Sequence, residues 1–180
     1  MKNFMNNTLE LMISEEAILQ KIASFASVLD QKYQNGSLVV VMILKGAICF
    51  TADLIRCVSC PTTLETIKCQ SYGHRGVHRG DLKILGIENL HIQDQDVLVI
   101  DDIYDSGVTL DSVLDKLRQL RPKSLSSAVL LAKKIDDRKV SSKPDYVMFE
   151  IENEFVVGYG LDFKEFYRGL RGIYKFIEKG

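Results

Sequence analysis

Asp101, Asp102, Asp105, Ser106, Gly107 and Thr109 crowd into the stretch VIDDIYDSGVTL, residues 99–110, and these are the residue types whose spacing could do chemistry. Helical periodicity resumes just after them, so Ser106, Gly107, Val108 and Thr109 fall at a helix N-terminus. Unpaired backbone N–H groups and the positive end of the helix dipole favour a phosphate there. Gly107 lets the backbone approach closely, and Ser106 and Thr109 add hydroxyl donors. The loop reads as a phosphate cradle. Asp101 and Asp102 are anions beside that expected anion. They need either a cation, for which Mg²⁺ is suited, or neutral hydroxyls such as a ribose 2′,3′-diol. A plain strand-to-helix turn with Asp and Ser as caps satisfies the same spacing.

The elements that must position these groups are a strand and a helix. Val97, Leu98, Val99 and Ile100 form the continuous apolar run of a strand buried on both faces, expected to stop at the acidic pair. Leu110, Val113, Leu114, Leu117 and Leu120 recur at helical spacing behind the turn, and Arg121-Pro122 closes that helix. A second strand, Leu38 to Leu44, runs into Lys45-Gly46-Ala47 before a helical stretch from Ile48 to Arg56. A cation and a glycine at the carboxyl end of a buried strand sit where open α/β sheets bind ligands, although a turn with a solvated lysine looks the same in sequence.

With 180 residues, 46% of them apolar, and a net charge of −1, the chain is the size of one domain, residues 1–180, with a full core. That charge argues against general affinity for nucleic acid or an anionic membrane. No cationic region followed by an apolar core opens the chain and no apolar run could span a bilayer, so a cytoplasmic location is expected. Cys57 and Cys60 make a CxxC that follows a predicted helix instead of starting one. Cys49 and Cys69 complete a set expected to be reduced and free of metal.

Before the central strand, Met1 to Thr8 is expected to be loose. A helix follows from the N-cap Ser14, with Ile18, Ile22, Phe25 and Leu29 on one face and Asn35-Gly36 at its end. Thr63 to Gln70 and Asp81 to Leu85 read as strands around SYGHRGVHRG, a glycine-rich cationic loop that is a candidate lid. Leu125 to Ala132 is another buried strand, ending in Lys133-Lys134. Tyr146 to Ile151 and Phe155 to Leu161 are the last strands expected, and RGIYKFIEKG carries no readable motif.

The segment IDDIYDSGVTL resembles the phosphoribosyl-pyrophosphate (PRPP) motif of type I phosphoribosyltransferases, and nearly the whole chain is similar to the bacterial hypoxanthine/guanine members of that family. The resemblance implies an α/β fold, a twisted and mainly parallel sheet flanked by helices. Over it sits a small hood for the base, built from the C-terminal strands with the N-terminal segment as a candidate contributor. It implies transfer of a 5-phosphoribosyl group from PRPP to N9 of hypoxanthine or guanine in purine salvage, giving IMP or GMP and pyrophosphate, with Mg²⁺ as cofactor and a homodimer or homotetramer as the assembly. Lys45 and Gly46 match the pyrophosphate loop, which has a non-proline cis peptide before its glycine-side turn. Ser71 and Tyr72 open the flexible loop, though its two Arg and two His depart from a pattern richer in Ser and Thr. Asp105 would bond purine N7 and handle a proton. Lys134 would donate to the 6-oxo group, with Lys133 an extra cation beside it. Phe155 would stack on the base, the Val156 backbone would read its edge, Asp162 would join Asp101 and Asp102 at the metal, and Arg168 would reach the pyrophosphate.

Two other classes share parts of this pattern. A signalling receiver domain also ends a buried strand in Asp-Asp, but on its first strand, whereas nearly a hundred residues precede the pair here. A regulatory protein of the same fold that binds nucleotide and RNA would show a basic face, of which the charge balance gives no sign.

Overall fold

The computed structural model describes residues 8–71, 82–135 and 143–177. Ser14 caps the first helix, α1 (Glu15–Lys32), by accepting from the Ala17 N–H, and Glu15 and Glu16 occupy the dipole-favoured first turn. Two further helices follow, α2 (Ile48–Cys57) and α3 (Val108–Gln119). The strands are β1 (Thr8–Ile13), β2 (Leu38–Leu44), β3 (Thr62–Ser71), β4 (Leu82–Leu85), β5 (Asp96–Tyr104), β6 (Ser124–Lys133), β7 (Tyr146–Ile151), β8 (Val156–Val157) and β9 (Ile173–Ile177).

Six strands form the main sheet in the order β4-β3-β2-β5-β6-β7, parallel except for β4 against β3. The run of apolar residues in β2 and β5 is explained by burial on both faces. Val40, Met42, Leu98 and Ile100 pack with Ile18 and Ile22 of α1 and Phe50 and Leu54 of α2, while Val39, Val41, Val97 and Val99 pack with Val113 and Leu117 of α3. Each such side chain contributes roughly 1.5–3 kcal/mol through burial.

A second sheet, ordered β1-β9-β8 and antiparallel, forms the hood. Its residues Val156 and Ile173 belong to the same buried cluster as α1 and α2. Here the structure corrects three expectations. Thr8 is not loose but starts β1, which pairs with β9 from Thr8↔Ile177 to Ile13↔Ile173. The motif-free C-terminal stretch supplies β9. The strand expected from Phe155 to Leu161 is only Val156–Val157, because the chain turns through positive φ at Gly158, Tyr159 and Gly160. Pairing across more than 150 residues leaves no local signal in either partner.

Candidate active site

Strand β5 does not end at the acidic pair; it continues through Asp101 and Asp102 to Tyr104, hydrogen-bonded to β6 along that length. Asp101 is in step with Val99 and Asp102 with Ile100, and at this end of the strand both residues line one cleft. Asp101 is buried and its carboxylate accepts from the Asp102 N–H at 3.0 Å. Burial first and the Asp102 charge second push its carboxyl well above the usual range, and burial raises Asp102 as well.

The β2–β5 register pairs Met42 with Ile100, so two steps further along Leu44 and Asp102 lie near one another and the Lys45-Gly46 turn follows. The Leu44-Lys45 peptide is cis. Gly46 is required for this approach, since a Cβ there would lie 1.6 Å from Asp102 Oδ2. On the other side of the turn, a Cβ on Gly160 would lie 2.0 Å from the Gly46 carbonyl oxygen, so the 158–168 segment is seated directly on it.

That segment brings in Asp162 and Arg168. Arg168 donates to the Gly160 carbonyl at 2.7 Å and pairs with Asp162 at 2.7 Å, while its Nε is buried without a partner among the described residues. Gly107 (φ 82) turns the chain into α3, whose first residue is Val108, so Ser106 to Thr109 do lie at a helix N-terminus. One cleft of about 360 Å³ is lined by Lys45, Gly46, Asp101, Asp102, Asp105, Ser106, Gly107, Thr109, Asp162 and Arg168. Cys69, which the sequence did not point to, lines it too, and burial pushes its thiol up to about 11.

The lysine assigned to the base needs correction. Lys134 lies past the end of β6 and pairs with Glu152 at 2.8 Å on the surface. Lys133 is the one that reaches the site, its Nζ 3.1 Å from Asp105 Oδ2 with only 12% of its side chain exposed. The register that pairs Tyr104 with Ala132 brings Lys133 level with Asp105, and no local signal in the sequence marks it. Phe155, which is more often a core residue, is 51% exposed, with edge contacts to Phe163 and Phe176. Val156 is buried in β8 opposite Lys175. Ser71 ends β3, whereas Tyr72 and the rest of the lid expected at 72–80 lie outside the described residues.

A Mg²⁺ ion fits this donor set. Asp101 and Asp102 are two adjacent carboxylates whose charges burial disfavours, and a divalent cation would relieve both. Among the described residues no three potential ligands are gathered closely enough to hold an ion by themselves, so Asp162 does not form a ready-made trio with Asp101 and Asp102.

Comparison with known proteins agrees with this geometry. Residues 12–164 match the phosphoribosyl transferase domain family. The chain is 37% identical to the hypoxanthine-guanine phosphoribosyltransferase of Bacillus subtilis, covering 89% of each, and 37% identical to that of Aquifex aeolicus, covering 97% of this chain and 98% of the relative. Among solved structures, a hypoxanthine-guanine phosphoribosyltransferase from Bacillus anthracis superposes with a TM-score of 0.87 at 35% identity, covering 96% of this chain and all of that one. A hypoxanthine phosphoribosyltransferase from Trypanosoma cruzi, in a ternary substrates complex, gives 0.85 at 34% identity, covering 92% and 94%. With residues 12–164 matched by the family and the fold superposing on its members over nearly the whole length, the chain belongs to the phosphoribosyl transferase domain family.

Proposed function

We propose that this protein is a purine-salvage enzyme that transfers the 5-phosphoribosyl group of PRPP to N9 of hypoxanthine or guanine, releasing pyrophosphate. The observation that carries the reading is the convergence of the Lys45-Gly46 turn, the acidic pair, the 105–109 cradle and Arg168 on one cleft. Such a cleft offers cations at one place, carboxylates at another and helix-terminal donors at a third, as a sugar bearing two phosphorylated ends demands.

Ribose C1 becomes oxocarbenium-like as pyrophosphate leaves. Lys45, the Gly46 backbone and Arg168 hold the leaving group, and Ser106 to Thr109 hold the 5-phosphate at the α3 N-terminus. Asp101 and Asp102 accept from the ribose hydroxyls, and with Asp162 they are the residues that would hold Mg²⁺. Bound there, the ion supplies charge neutralisation on the departing pyrophosphate. Asp105 bonds purine N7 and holds or removes a proton as N9 attacks. Lys133, already beside Asp105, donates to the 6-oxo group. Phe155 presents a face for stacking, and the Val156 backbone reads the base edge. Ser71 and Tyr72 open the lid that keeps water from the sugar cation. By the same reading, residues 1–180 form one domain, since hood and main sheet share a core, and the enzyme works in the cytoplasm as a homodimer or homotetramer.

The test is an assay of PRPP and Mg²⁺ with hypoxanthine, guanine and xanthine in turn, followed by calorimetry. Nucleotide formation with the first two is expected, with PRPP binding before the base and only as its magnesium complex. PRPP affinity indifferent to Mg²⁺ would refute the metal role, and tight base binding without PRPP would refute the order.

A further inference from the structure

Lys164 and Glu165 form the tip of a two-residue turn. Phe163 and Phe166 exchange backbone hydrogen bonds at 3.1 and 3.0 Å, and both central residues have positive φ, 50° at Lys164 and 69° at Glu165. Turns with that pattern favour Asn-Gly, because a side chain at positive φ is strained and glycine is not. A glutamate therefore stands where local sterics call for glycine. Its backbone N–H is held by Asp162 Oδ2 at 2.7 Å, and its carboxylate is not spent on the turn. Lys45 Nζ donates to both carboxylate oxygens, at 3.2 and 3.1 Å, and Arg168 Nη2 donates to one of them at 3.2 Å. Those two cations hold the carboxyl below the ordinary carboxylate range, Lys45 contributing most. The side chain is 66% exposed, and among the described residues the two cations are what hold the carboxylate in place.

We propose that Glu165 is a built-in stand-in for pyrophosphate, bridging Lys45 and Arg168 when the leaving-group site is empty and giving way when a diphosphate binds. This inference rests on the assignment of those two cations to the leaving group. Glu165 presents an acceptor pair to the same donors that a diphosphate would use, and both anions cannot hold them together. PRPP must displace the carboxylate on binding, and its return after the chemistry competes with the released pyrophosphate and speeds departure. An exposed ion pair is weak, so the competition is easily reversed by a ligand carrying several charges.

The experiment is titration calorimetry of magnesium pyrophosphate into the wild-type protein, Glu165→Gln and Glu165→Gly, with product-inhibition kinetics alongside. Both variants remove the carboxylate, and the glycine variant also relieves the turn, so a folding defect cannot account for a change shared by the two. Pyrophosphate should bind roughly three- to tenfold more tightly to each variant, as expected for losing two exposed ion pairs from the competing state. Product inhibition should strengthen in parallel. In a Lys45→Met background the gain from Glu165→Gln should shrink, since one of the contested cations is gone. Unchanged or weaker pyrophosphate binding in both variants would overturn the proposal. If the wild-type protein turns over PRPP and hypoxanthine while the variants show no tightening, only the role of Glu165 falls. Absence of wild-type turnover would remove the assignment of the cleft and this inference with it.

Discussion

Lys133 Nζ sits 3.1 Å from Asp105 Oδ2 because the register that pairs Tyr104, the last residue of β5, with Ala132 of β6 carries the residue that follows each to the same level. A donor and an acceptor are thereby presented side by side at the carboxyl end of the sheet. A purine offers the complementary edge, with its 6-oxo group next to N7. Lys133→Ala should raise the Michaelis constant for hypoxanthine and guanine by roughly 10- to 150-fold, the cost of depriving a buried acceptor of a charged donor. Lys134→Ala, which removes only a surface pair with Glu152, should leave it unchanged. Steady-state kinetics on the two variants decides between neighbouring lysines.

Asp105→Asn should lower turnover far more than PRPP affinity. The amide keeps the shape of the loop and can still meet Lys133 through its carbonyl oxygen, but it cannot take a proton. A loss of the order of 10²–10⁴-fold in kcat is expected if the carboxylate does general-base work. An unchanged kcat would remove Asp105 from the chemistry.

Gly46→Ala tests the close approach of the pyrophosphate turn to the acidic pair. The added Cβ would lie 1.6 Å from Asp102 Oδ2 and 2.4 Å from its Cγ, so the carboxylate must swing away. A displacement of that size at groups that orient substrate costs up to about 10²-fold. The KM for PRPP should rise while the KM for the base changes little; equal effects on both would mean that the substitution disturbs the whole cleft.

Asp96, at the far end of β5, accepts from Lys123 at 2.7 Å and from Ser124 at 2.6 Å. The Lys123 hydrogen bond first and the Ser124 hydrogen bond second hold its carboxyl below the ordinary aspartate range. A depressed folded value means that the unfolded chain binds this proton more readily. The stabilisation is therefore present above about pH 4 and is lost as pH falls through the folded value. Asp96→Asn should cost roughly 1 kcal/mol at pH 7. Urea denaturation should show the gap to wild type narrowing steadily as pH falls below about 4, and a gap that does not narrow with acid would mean that the aspartate acts by packing alone.

The sequence by itself determined the frame of the catalytic end. Apolar runs ending in charge, a glycine turn and a following 3.6-residue period are local signals, and they placed β2, the core of β5, α3, the Lys45-Gly46 turn and the 105–109 turn where the structure has them, although β5 runs on past the acidic pair to Tyr104. What depended on partners distant in the chain was decided only in three dimensions. Strand β1 exists because β9 pairs with it, and β8 is short because three consecutive positive-φ residues fold the chain down onto Gly46. The choice of Lys133 over Lys134 follows from the register of β6 against β5, a quantity that hydrogen bonds between strands set and composition does not encode. Glu165 carries no motif at all. Its importance arises from a turn that sets its carboxylate against Lys45, 120 residues earlier in the chain, and against Arg168, and only the tertiary structure brings those charges within reach of each other.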